Sequence, residues 1–339
     1  MKAFISAVIA FFMAVSGLLC DGDMRAELKS KGTIENYSQT VSADKKLYDF
    51  NVDEDGEFTV LQFSDTHFTT GISFSDIYLL KKMEEQTKKY SPDLVVVTGD
   101  MIDDGNDGKF NKAYVLRSVA EMFEELNQYW SFVPGNNDGA NYGTTSDITA
   151  FLSQYDHCLV RDEKEISGGT QHSIDIFDGE TLAHSMVFLD TMDYDNEDDF
   201  YIYGYVLEDQ VQWAKEEIAS KKEANKNVTV SVFMHENTPD FVRAGKNGEA
   251  CGVGFGNIML MGEKYDIPKN QPLDDVFNES GCVGLVSIGH VHPAVAMCNY
   301  YNGTYYHIAQ QTTVSSTFIT IDTDADNTKD MYEFELVVG

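Results

Sequence analysis

The segment Pro92-Asp-Leu-Val-Val-Val-Thr-Gly-Asp100 joins a continuous apolar run directly to a glycine and an aspartate. A run without alternating polar residues is typical of a strand that is buried on both faces of a parallel sheet. The proline ends any preceding helix, and the glycine after Thr98 permits a sharp turn. The segment therefore predicts a central strand that holds Asp100 rigidly at its carboxyl end.

Helices and strands alternate on both sides of this strand. In chain order, the apolar patterns predict a strand over 58–64, a helix over 76–90, the strand over 93–98, a helix over 110–127 and a strand over 129–133. Ser75 is the predicted N-cap of the first helix, and its buried face comprises Ile77, Leu80, Met83 and Thr87. Because strands that alternate with helices usually pair in parallel, this half of the chain predicts βαβ units.

The second half of the chain alternates less evenly. The predicted elements are strands over 173–177, 185–189, 228–234 and 282–288, a helix over 207–222, and further strands near Tyr305, Ser316 and Tyr332. No stretch has the composition of a domain linker. We therefore predict a single α/β domain over 47–339, in which two packed mixed β-sheets are flanked by helices, preceded by a polar arm over 21–46.

Acidic residues dominate the 339-residue chain, since 56 Asp and Glu against 24 Lys and Arg give a formal net charge of −32. A surface of this sign repels polyanions, which argues against DNA or RNA binding as the function. A small phosphorylated substrate is compatible with it, because bound divalent cations reverse the local potential.

The first 20 residues predict a signal peptide. Lys2 supplies the positive charge, Ala3 to Leu19 is nearly all apolar or small, and polar residues begin at Asp21. A retained membrane anchor is the alternative, but the apolar run is slightly short for a comfortable span. We therefore expect a secreted or extracytoplasmic protein, including the secretory pathway or a lysosome-type compartment, without stable membrane association. The oligomeric state is left open.

Cysteine and asparagine usage agree with export. Removal of the leader leaves Cys158, Cys251, Cys282 and Cys298, which allow two disulfides in any of three pairings. Glycosylation sequons begin at Asn36, Asn227, Asn278 and Asn302 and matter only in a eukaryotic host. Both features are expected of a secreted glycoprotein.

Five short polar segments lie where a predicted buried strand gives way to a loop. They are Asp65-Thr-His67, Gly99-Asp100, Gly135-Asn-Asn-Asp138, His235 and Gly289-His-Val-His292. Taken singly, each is more often a turn or a core histidine than a functional group. Together they are expected to converge, because ligands of open α/β sheets bind at the carboxyl ends of strands. Their carboxylate, imidazole and amide groups are those that bind divalent transition metals.

The series Asp-x-His, Gly-Asp, Gly-Asn-x-Asp, His and Gly-His-x-His resembles the calcineurin-like metallophosphoesterase superfamily, from roughly Thr59 to Ile308. Four stretches are similar to the branch that contains purple-acid-phosphatase-like proteins and yeast cell-cycle-regulator phosphatases, namely residues 60–67, 92–100, 205–213 and 235–241. The resemblance implies an αββα sandwich and hydrolysis of phosphate esters.

Carried over by position, the resemblance implies a binuclear metal centre. The first metal is expected to bind Asp65, His67, Asp100 and His292, and the second to bind Asp100, Asn136, His235 and His290. Two such cations lie about 3.5–4 Å apart, clamp the phosphate oxygens and deprotonate a shared water to give the nucleophile. Manganese, zinc and iron(II) all fit these ligands. A violet iron(III) centre is not expected, because Asp103 stands where purple acid phosphatases have a tyrosine ligand.

Asn137 departs from the family pattern, which has a histidine there that contacts the phosphate and assists the leaving group. An amide donates a hydrogen bond to a phosphate oxygen, but it is no proton donor with a useful pKa. Asp138 would normally orient that histidine and loses its usual partner. We expect both residues at the catalytic position, with a preference for good leaving groups or with another proton donor such as His172.

The resulting hypothesis is a secreted, metal-dependent hydrolase of phosphate monoesters that uses a metal-bridging hydroxide. One alternative is a phosphodiesterase, nucleotidase or polyphosphatase of the same fold. The other is a relative that binds metal or phosphate with weak turnover or none, which Asn137 keeps open. The seven intact metal-binding positions favour activity.

Overall fold

Thirteen strands form two sheets in the part of the chain that the computed structural model describes, residues 49–69, 73–103, 109–139, 145–163, 165–192, 204–251, 267–291 and 297–338. The strands are β1 (Phe50–Asn51), β2 (Glu57–Phe63), β3 (Leu94–Thr98), β4 (Trp130–Val133), β5 (Gln171–Asp178), β6 (Thr181–Leu189), β7 (Thr229–Phe233), β8 (Glu249–Ala250), β9 (Val283–Ile288), β10 (Met297–Tyr301), β11 (Thr304–Ile308), β12 (Ser315–Asp322) and β13 (Tyr332–Val338). The helices are α1 (Phe74–Tyr90), α2 (Lys109–Glu125), α3 (Asn136–Gly139), α4 (Thr145–Leu152), α5 (Glu208–Ala224), α6 (Pro239–Asn247), α7 (Gln271–Ser280) and α8 (Thr328–Met331).

The two sheets are both mixed. The smaller has the order β13-β12-β2-β3-β4, in which β2, β3 and β4 run parallel and β12 pairs antiparallel with both of its neighbours. The larger has the order β1-β5-β6-β7-β9-β11-β10-β8, with a parallel centre from β6 to β11. In it, β5 and β10 pair antiparallel with β6 and β11. The βαβ pattern therefore correctly predicts the parallel strands of the first half.

The sheets pack face to face and carry helices on their outer faces. Phe58 of the smaller sheet and Phe188 of the larger belong to one buried cluster between the sheets. Met83 of α1 and Phe123 of α2 pack on the outer face of the smaller sheet, and Ile218 of α5 packs on the outer face of the larger. The predicted fold, two packed mixed β-sheets flanked by helices, is confirmed.

Helix α1 differs from its prediction at its start and in its buried face. Its N-cap is Ser73, whose hydroxyl accepts the backbone N–H of Asp76 at 3.1 Å, so the prediction of Ser75 is wrong. Ile77 is 44% exposed and not buried. The helix instead turns Lys82 inward, where its ammonium donates to backbone carbonyls of the loop after β11. Apolar spacing misses this face because a lysine occupies it.

No disulfide joins the four cysteines of the described residues to one another, so the two disulfides allowed by the sequence are not formed among them. Cys158 and Cys282 pack on the outer faces of different sheets and are too far apart in the fold to pair. Cys251 and Cys298 are neighbours across the β8–β10 pair, where the N–H of Cys251 donates to the carbonyl of Cys298 at 3.0 Å.

The predicted signal peptide over 1–20 and the arm over 21–46 lie outside the described residues. Within the described ranges, none of the helices is long and apolar enough to span a bilayer.

Candidate metal centre

Five strand ends bring the predicted segments together at one edge of the sandwich. Asp65, Asp100 and Asn136 follow β2, β3 and β4 of the smaller sheet, whereas His235 and His290 follow β7 and β9 of the larger. Because these strands run parallel within each sheet, their carboxyl ends lie at the same edge. Each of the five residues is at most 6% exposed. Both sheets therefore contribute to one buried polar cluster.

The backbone at these strand ends adopts an unusual conformation. Asp65, His67, Asp100 and His290 have φ angles of 50°, 45°, 48° and 65°, in the left-handed region that residues other than glycine rarely occupy. Such strain persists only where the surrounding structure imposes it, and it concentrates at functional sites. The four residues are thus held in place by the sheets on either side of them.

Two glycines allow the backbone to pass very close to the polar side chains of the cluster. A Cβ atom on Gly135 would lie 2.3 Å from Asp100 Oδ1, and one on Gly289 would lie 2.1 Å from the hydroxyl oxygen of Ser64. Both distances are far below van der Waals contact. A larger residue at either position would therefore displace the carboxylates of the cluster.

The first cluster of metal-ligand atoms comprises Asp65, His67 and Asp100, whose ligand atoms lie within 4.8 Å of one another. His67 Nε2 lies 3.9 Å from Asp65 Oδ1 and 3.8 Å from Asp100 Oδ2. The Asp65 carboxylate is oriented by the hydroxyl of Ser64, which donates at 2.6 Å, and by the backbone N–H of His290 at 3.0 Å. The side chain of His67 is 18% exposed, so this cluster reaches the surface there.

The second cluster comprises Asp100, His235 and His290, again with ligand atoms within 4.8 Å of one another. His235 Nε2 lies 3.4 Å from Asp100 Oδ1 and 3.2 Å from Asn136 Oδ1. His290 Nδ1 lies 3.0 Å from the same amide oxygen. The other nitrogen of His235, Nδ1, bonds the carbonyl of Thr98 at 2.7 Å, which leaves Nε2 to face the cluster.

Asp100 joins the two clusters, since its Oδ2 faces His67 and its Oδ1 faces His235. A carboxylate placed in this way has one oxygen available to each of two cations. Asn136 adds its amide oxygen to the second cluster, so six of the seven predicted ligands come together in the described structure. The seventh, His292, lies outside the described residues.

Buried negative charge sets the electrostatics of the site. Burial raises the pKa of Asp65 more than His235 lowers it, and the Asp100 carboxylate raises it further. Burial alone would lower the pKa of His235, but Asp100, Asp65 and Glu236 together hold that pKa well above its usual value. The pKa of Asp100 is lowered despite burial, because His235 and His67 favour its charged form. The clusters therefore attract positive charge.

The groups fit divalent cations in kind and in charge. Carboxylate oxygens, an amide oxygen and imidazole nitrogens are the ligands that manganese, zinc and iron(II) accept. Asp65 lies beside His67, and Asp100 lies beside both His67 and His235. Because several carboxylates buried close together repel one another, bound cations would stabilise this arrangement.

Asn137, predicted at the catalytic position, is bonded to the carboxylate that the two clusters share. Its side-chain amide donates to Asp100 Oδ2 at 2.6 Å, and its backbone N–H donates to Oδ1 at 2.9 Å. It is 9% exposed, so it reaches the edge of the buried cluster. The structure thus places Asn137 beside a candidate metal ligand, and its catalytic role stays a prediction.

Asp138, the other predicted catalytic residue, is fully buried and faces the backbone. Its carboxylate accepts the N–H groups of Gly135 at 2.7 Å and Ile102 at 3.0 Å. Burial and the nearby Asp100 raise the pKa of Asp138 to about 7. Asp138 thus fixes the turn that carries Asn136, and its expected part in catalysis stays a prediction.

His172, suggested as a replacement proton donor, does not suit that role. It lies in the core, bonded to the hydroxyl of Ser131 at 2.8 Å and stacked on Phe188 with ring centres 4.6 Å apart. Burial, with a contribution from Arg161, lowers the pKa of His172 to about 3. The ring is therefore neutral and cannot give a proton to a leaving group near neutral pH.

Glu236 is a site residue that the sequence patterns did not predict. It follows His235 directly, is fully buried, and its Oε2 lies 3.1 Å from His290 Nε2. The feature of the sequence that could have indicated Glu236 is its charge, because it lies shortly after a buried strand. A single glutamate after a histidine is too common to stand out by itself.

A family model of the calcineurin-like phosphoesterases matches residues 58–294. The chain is 26% identical over 195 residues to the probable inactive purple acid phosphatase 28 of Arabidopsis thaliana, which covers 48% of each chain. It is 34% identical over 89 residues to an uncharacterized metallophosphoesterase of Bacillus subtilis, covering 26% of this chain and 28% of the other. The alignments thus span half or less of the length of these relatives.

A crystal structure of a dimetal phosphatase from Danio rerio has a similar fold. It superimposes with a TM-score of 0.57 at 12% identity and covers 83% of this chain and 98% of its own. At this identity the similarity concerns the fold alone. The resemblance indicated by the motifs is confirmed by the family match, and the sandwich architecture by this structure.

Proposed function

The chain belongs to the calcineurin-like phosphoesterase family, and we propose that it is a metal-dependent enzyme that hydrolyses phosphate monoesters. The observation that carries the proposal is the pair of ligand clusters that share Asp100. Two cations held in this way supply Lewis acidity, which polarises a phosphate ester and lowers the pKa of a water molecule. Manganese, zinc and iron(II) are the metals that the ligand set accommodates.

The residues of the chain hold and orient this centre. Asp65 and His67 serve the first position, with His292 as the proposed fourth ligand beside Asp100. His235, Asn136 and His290 serve the second, and the carbonyl of Thr98 keeps His235 Nε2 directed inward. The strained backbone at the strand ends fixes these groups before any cation arrives, so little rearrangement is needed on binding.

Asn137 restricts the proposed chemistry. Its amide can donate a hydrogen bond to a phosphate oxygen but cannot protonate a departing alkoxide. General-acid assistance contributes about 10²–10⁴ in rate, so its absence matters most for poor leaving groups. The proposed substrates are therefore small phosphates with good leaving groups, such as aryl phosphates or phosphoanhydrides.

A relative that binds metal or phosphate with little turnover is the second candidate function. Two observations favour it: the asparagine at position 137, and the word "inactive" in the name of the Arabidopsis relative. The clustered ligands weigh against it, because a site that has lost its activity is expected to lose ligands as well. Phosphodiester or polyphosphate hydrolysis is a variant of the first candidate.

Hydrolysis of p-nitrophenyl phosphate by the full chain, loaded with Mn²⁺ or Zn²⁺, tests the proposal. Asp100→Asn should abolish metal-dependent turnover, whereas Asp178→Asn, the same change at an exposed position at the end of β5, should not. Faster cleavage of bis(p-nitrophenyl) phosphate than of the monoester would assign the chain to the diesterases. Equal rates for the wild type and Asp100→Asn would favour the binding protein.

We also propose that the protein acts outside the cytosol on a small phosphorylated substrate and binds neither nucleic acid nor membrane stably. The predicted signal peptide and the net charge of −32 support these proposals. Protease protection and amino-terminal sequencing of the protein expressed in a secretory host would test the first of them.

A further inference from the structure

Glu236 is a fully buried carboxylate with an unusual environment. Its backbone N–H donates to the hydroxyl of Thr191 at 3.1 Å, which anchors the main chain. Among the described residues, neither oxygen of its carboxylate accepts a hydrogen bond of good geometry. A buried carboxylate in such a place is strongly destabilising for the fold, so it calls for an explanation.

The nearest group to this carboxylate is the imidazole of His290. Glu236 Oε2 lies 3.1 Å from His290 Nε2, the separation of an ion pair. The opposite ring nitrogen, Nδ1, lies 3.0 Å from the Asn136 amide oxygen and faces the second ligand cluster. The ring of His290 is therefore placed between a carboxylate on one side and the candidate metal position on the other.

A histidine that binds a metal through one ring nitrogen carries its proton on the other. A carboxylate beside that second nitrogen fixes the tautomer, orients the ring and makes it a better ligand. His235 obtains the same support from the carbonyl of Thr98. Within the described residues, Glu236 is the group in the corresponding place for His290.

We propose that Glu236 is a positioning residue for the second metal position, acting through His290 Nε2. The proposal rests on the metal centre of the proposed function but not on its catalytic activity. Its carboxylate holds the proton on Nε2 and thereby directs the lone pair of Nδ1 toward the cation. No contact between Glu236 and a substrate is required.

Metal titration of the full chain tests the proposal, with Mn²⁺ or Zn²⁺ affinity measured by calorimetry for each of two sites. Glu236→Gln keeps one acceptor oxygen and Glu236→Leu keeps none, so affinity should decrease in the order wild type, Gln, Leu. Removal of such a partner typically weakens binding by about 10–100-fold. The loss should fall on one site and leave the other within about threefold.

Asp274→Asn is the matched control. Asp274 is also a fully buried carboxylate, and its Oδ2 accepts the N–H of Asp240 at 2.9 Å, at the start of α6. This variant should lower the melting temperature without changing either metal affinity. Unchanged affinities in Glu236→Gln, or equal losses in Glu236→Gln and Asp274→Asn, would overturn the proposal. If the wild type binds two cations and Glu236→Gln weakens one site, the proposal stands even where no hydrolysis is found.

Discussion

Two groups of buried histidines occupy this molecule, and they differ in their neighbours. His172, His184 and His307 lie in the sandwich interior beside the hydroxyls of serine and threonine. His235 and His290 lie at the strand ends beside carboxylates. All five are at most 6% exposed. Depth of burial therefore does not distinguish a core histidine from a candidate ligand.

The neighbouring groups decide whether a buried imidazole ring is neutral or positively charged. Burial lowers the pKa of His172, His184 and His307 to about 3, because hydroxyl groups do little for an imidazolium. Asp100 and the nearby carboxylates raise the pKa of His235 well above its usual value in spite of the same burial. The carboxylates around His235 thus favour positive charge at that position. The surroundings of the interior histidines do not.

Substitution of one histidine from each group should separate the groups most clearly. His235→Gln should lower kcat/KM for p-nitrophenyl phosphate by about 10²–10³-fold, since it removes a ligand and its share of transition-state stabilisation. His307→Gln should leave kcat/KM within about threefold and lower the melting temperature instead. Comparable losses of activity in both variants would remove the distinction.

Removal of metal should destabilise the fold through the histidines at the strand ends and not through those of the interior. At 100 times the dissociation constant, a bound cation contributes about 2.7 kcal/mol, which corresponds to a shift of roughly 4–5 °C in melting temperature for a domain of this size. Chelation should produce this shift in the wild type and in His307→Gln. His235→Gln removes a ligand of the second position alone, so its melting temperature should fall less on chelation than that of the wild type. A shift as large as that of the wild type would contradict the assignment.

Acid should destabilise the fold by protonating the interior histidines. The folded pKa of His184 is about 3, below the usual value near 6.5, so the unfolded state binds its proton more readily. Stability from this residue is complete above pH 6.5 and is lost as the pH falls toward 3. At pH 4.5 the loss is about 2–3 kcal/mol, or roughly 4 °C or more in melting temperature.

His184→Gln removes this titration and therefore tests it. Metal-free wild type and variant should be melted at pH 7 and at pH 4.5. The variant is expected to be the less stable at pH 7, because the polar contacts of the ring are lost. The fall in melting temperature between the two pH values should nevertheless be smaller in the variant, and an equal fall would contradict the prediction.

Addition of a histidine to the strand-end region should have the smallest effect. Asn137→His restores the residue that related enzymes have at this position and should speed hydrolysis of an alkyl phosphate by about tenfold. An aryl phosphate needs little proton transfer to its leaving group and should change less. Hydrolysis rates of the wild type and the variant should be measured for substrates whose leaving groups differ in pKa. An equal increase in rate for all of these substrates would exclude proton donation by the new histidine.

Much of the fold follows from local sequence patterns. The continuous apolar run before Asp100 correctly predicts β3, which is buried along its whole length. The alternation of strands and helices correctly predicts the parallel pairing of β2, β3 and β4. The convergence of the strand-end residues follows from this topology, because parallel strands share one carboxyl edge.

Other features depend on contacts that no local pattern contains. Ser73 and Ser75 are equally plausible N-caps by type, and tertiary position decides between them. The place of Asp138 is fixed by the backbone of Ile102, 36 residues away. Glu236 becomes visible as a site residue only once β7 and β9 lie side by side.

Assembly of the centre from both sheets has a consequence for the order of folding. The carboxylate of Asp65 accepts the N–H of His290, 225 positions later in the chain. Contacts of such separation form late, because the entropy of a long loop must be overcome first. A nascent or half-folded chain therefore lacks the complete centre. The second cluster, to which His235 and His290 of the larger sheet belong, forms only when both sheets have docked.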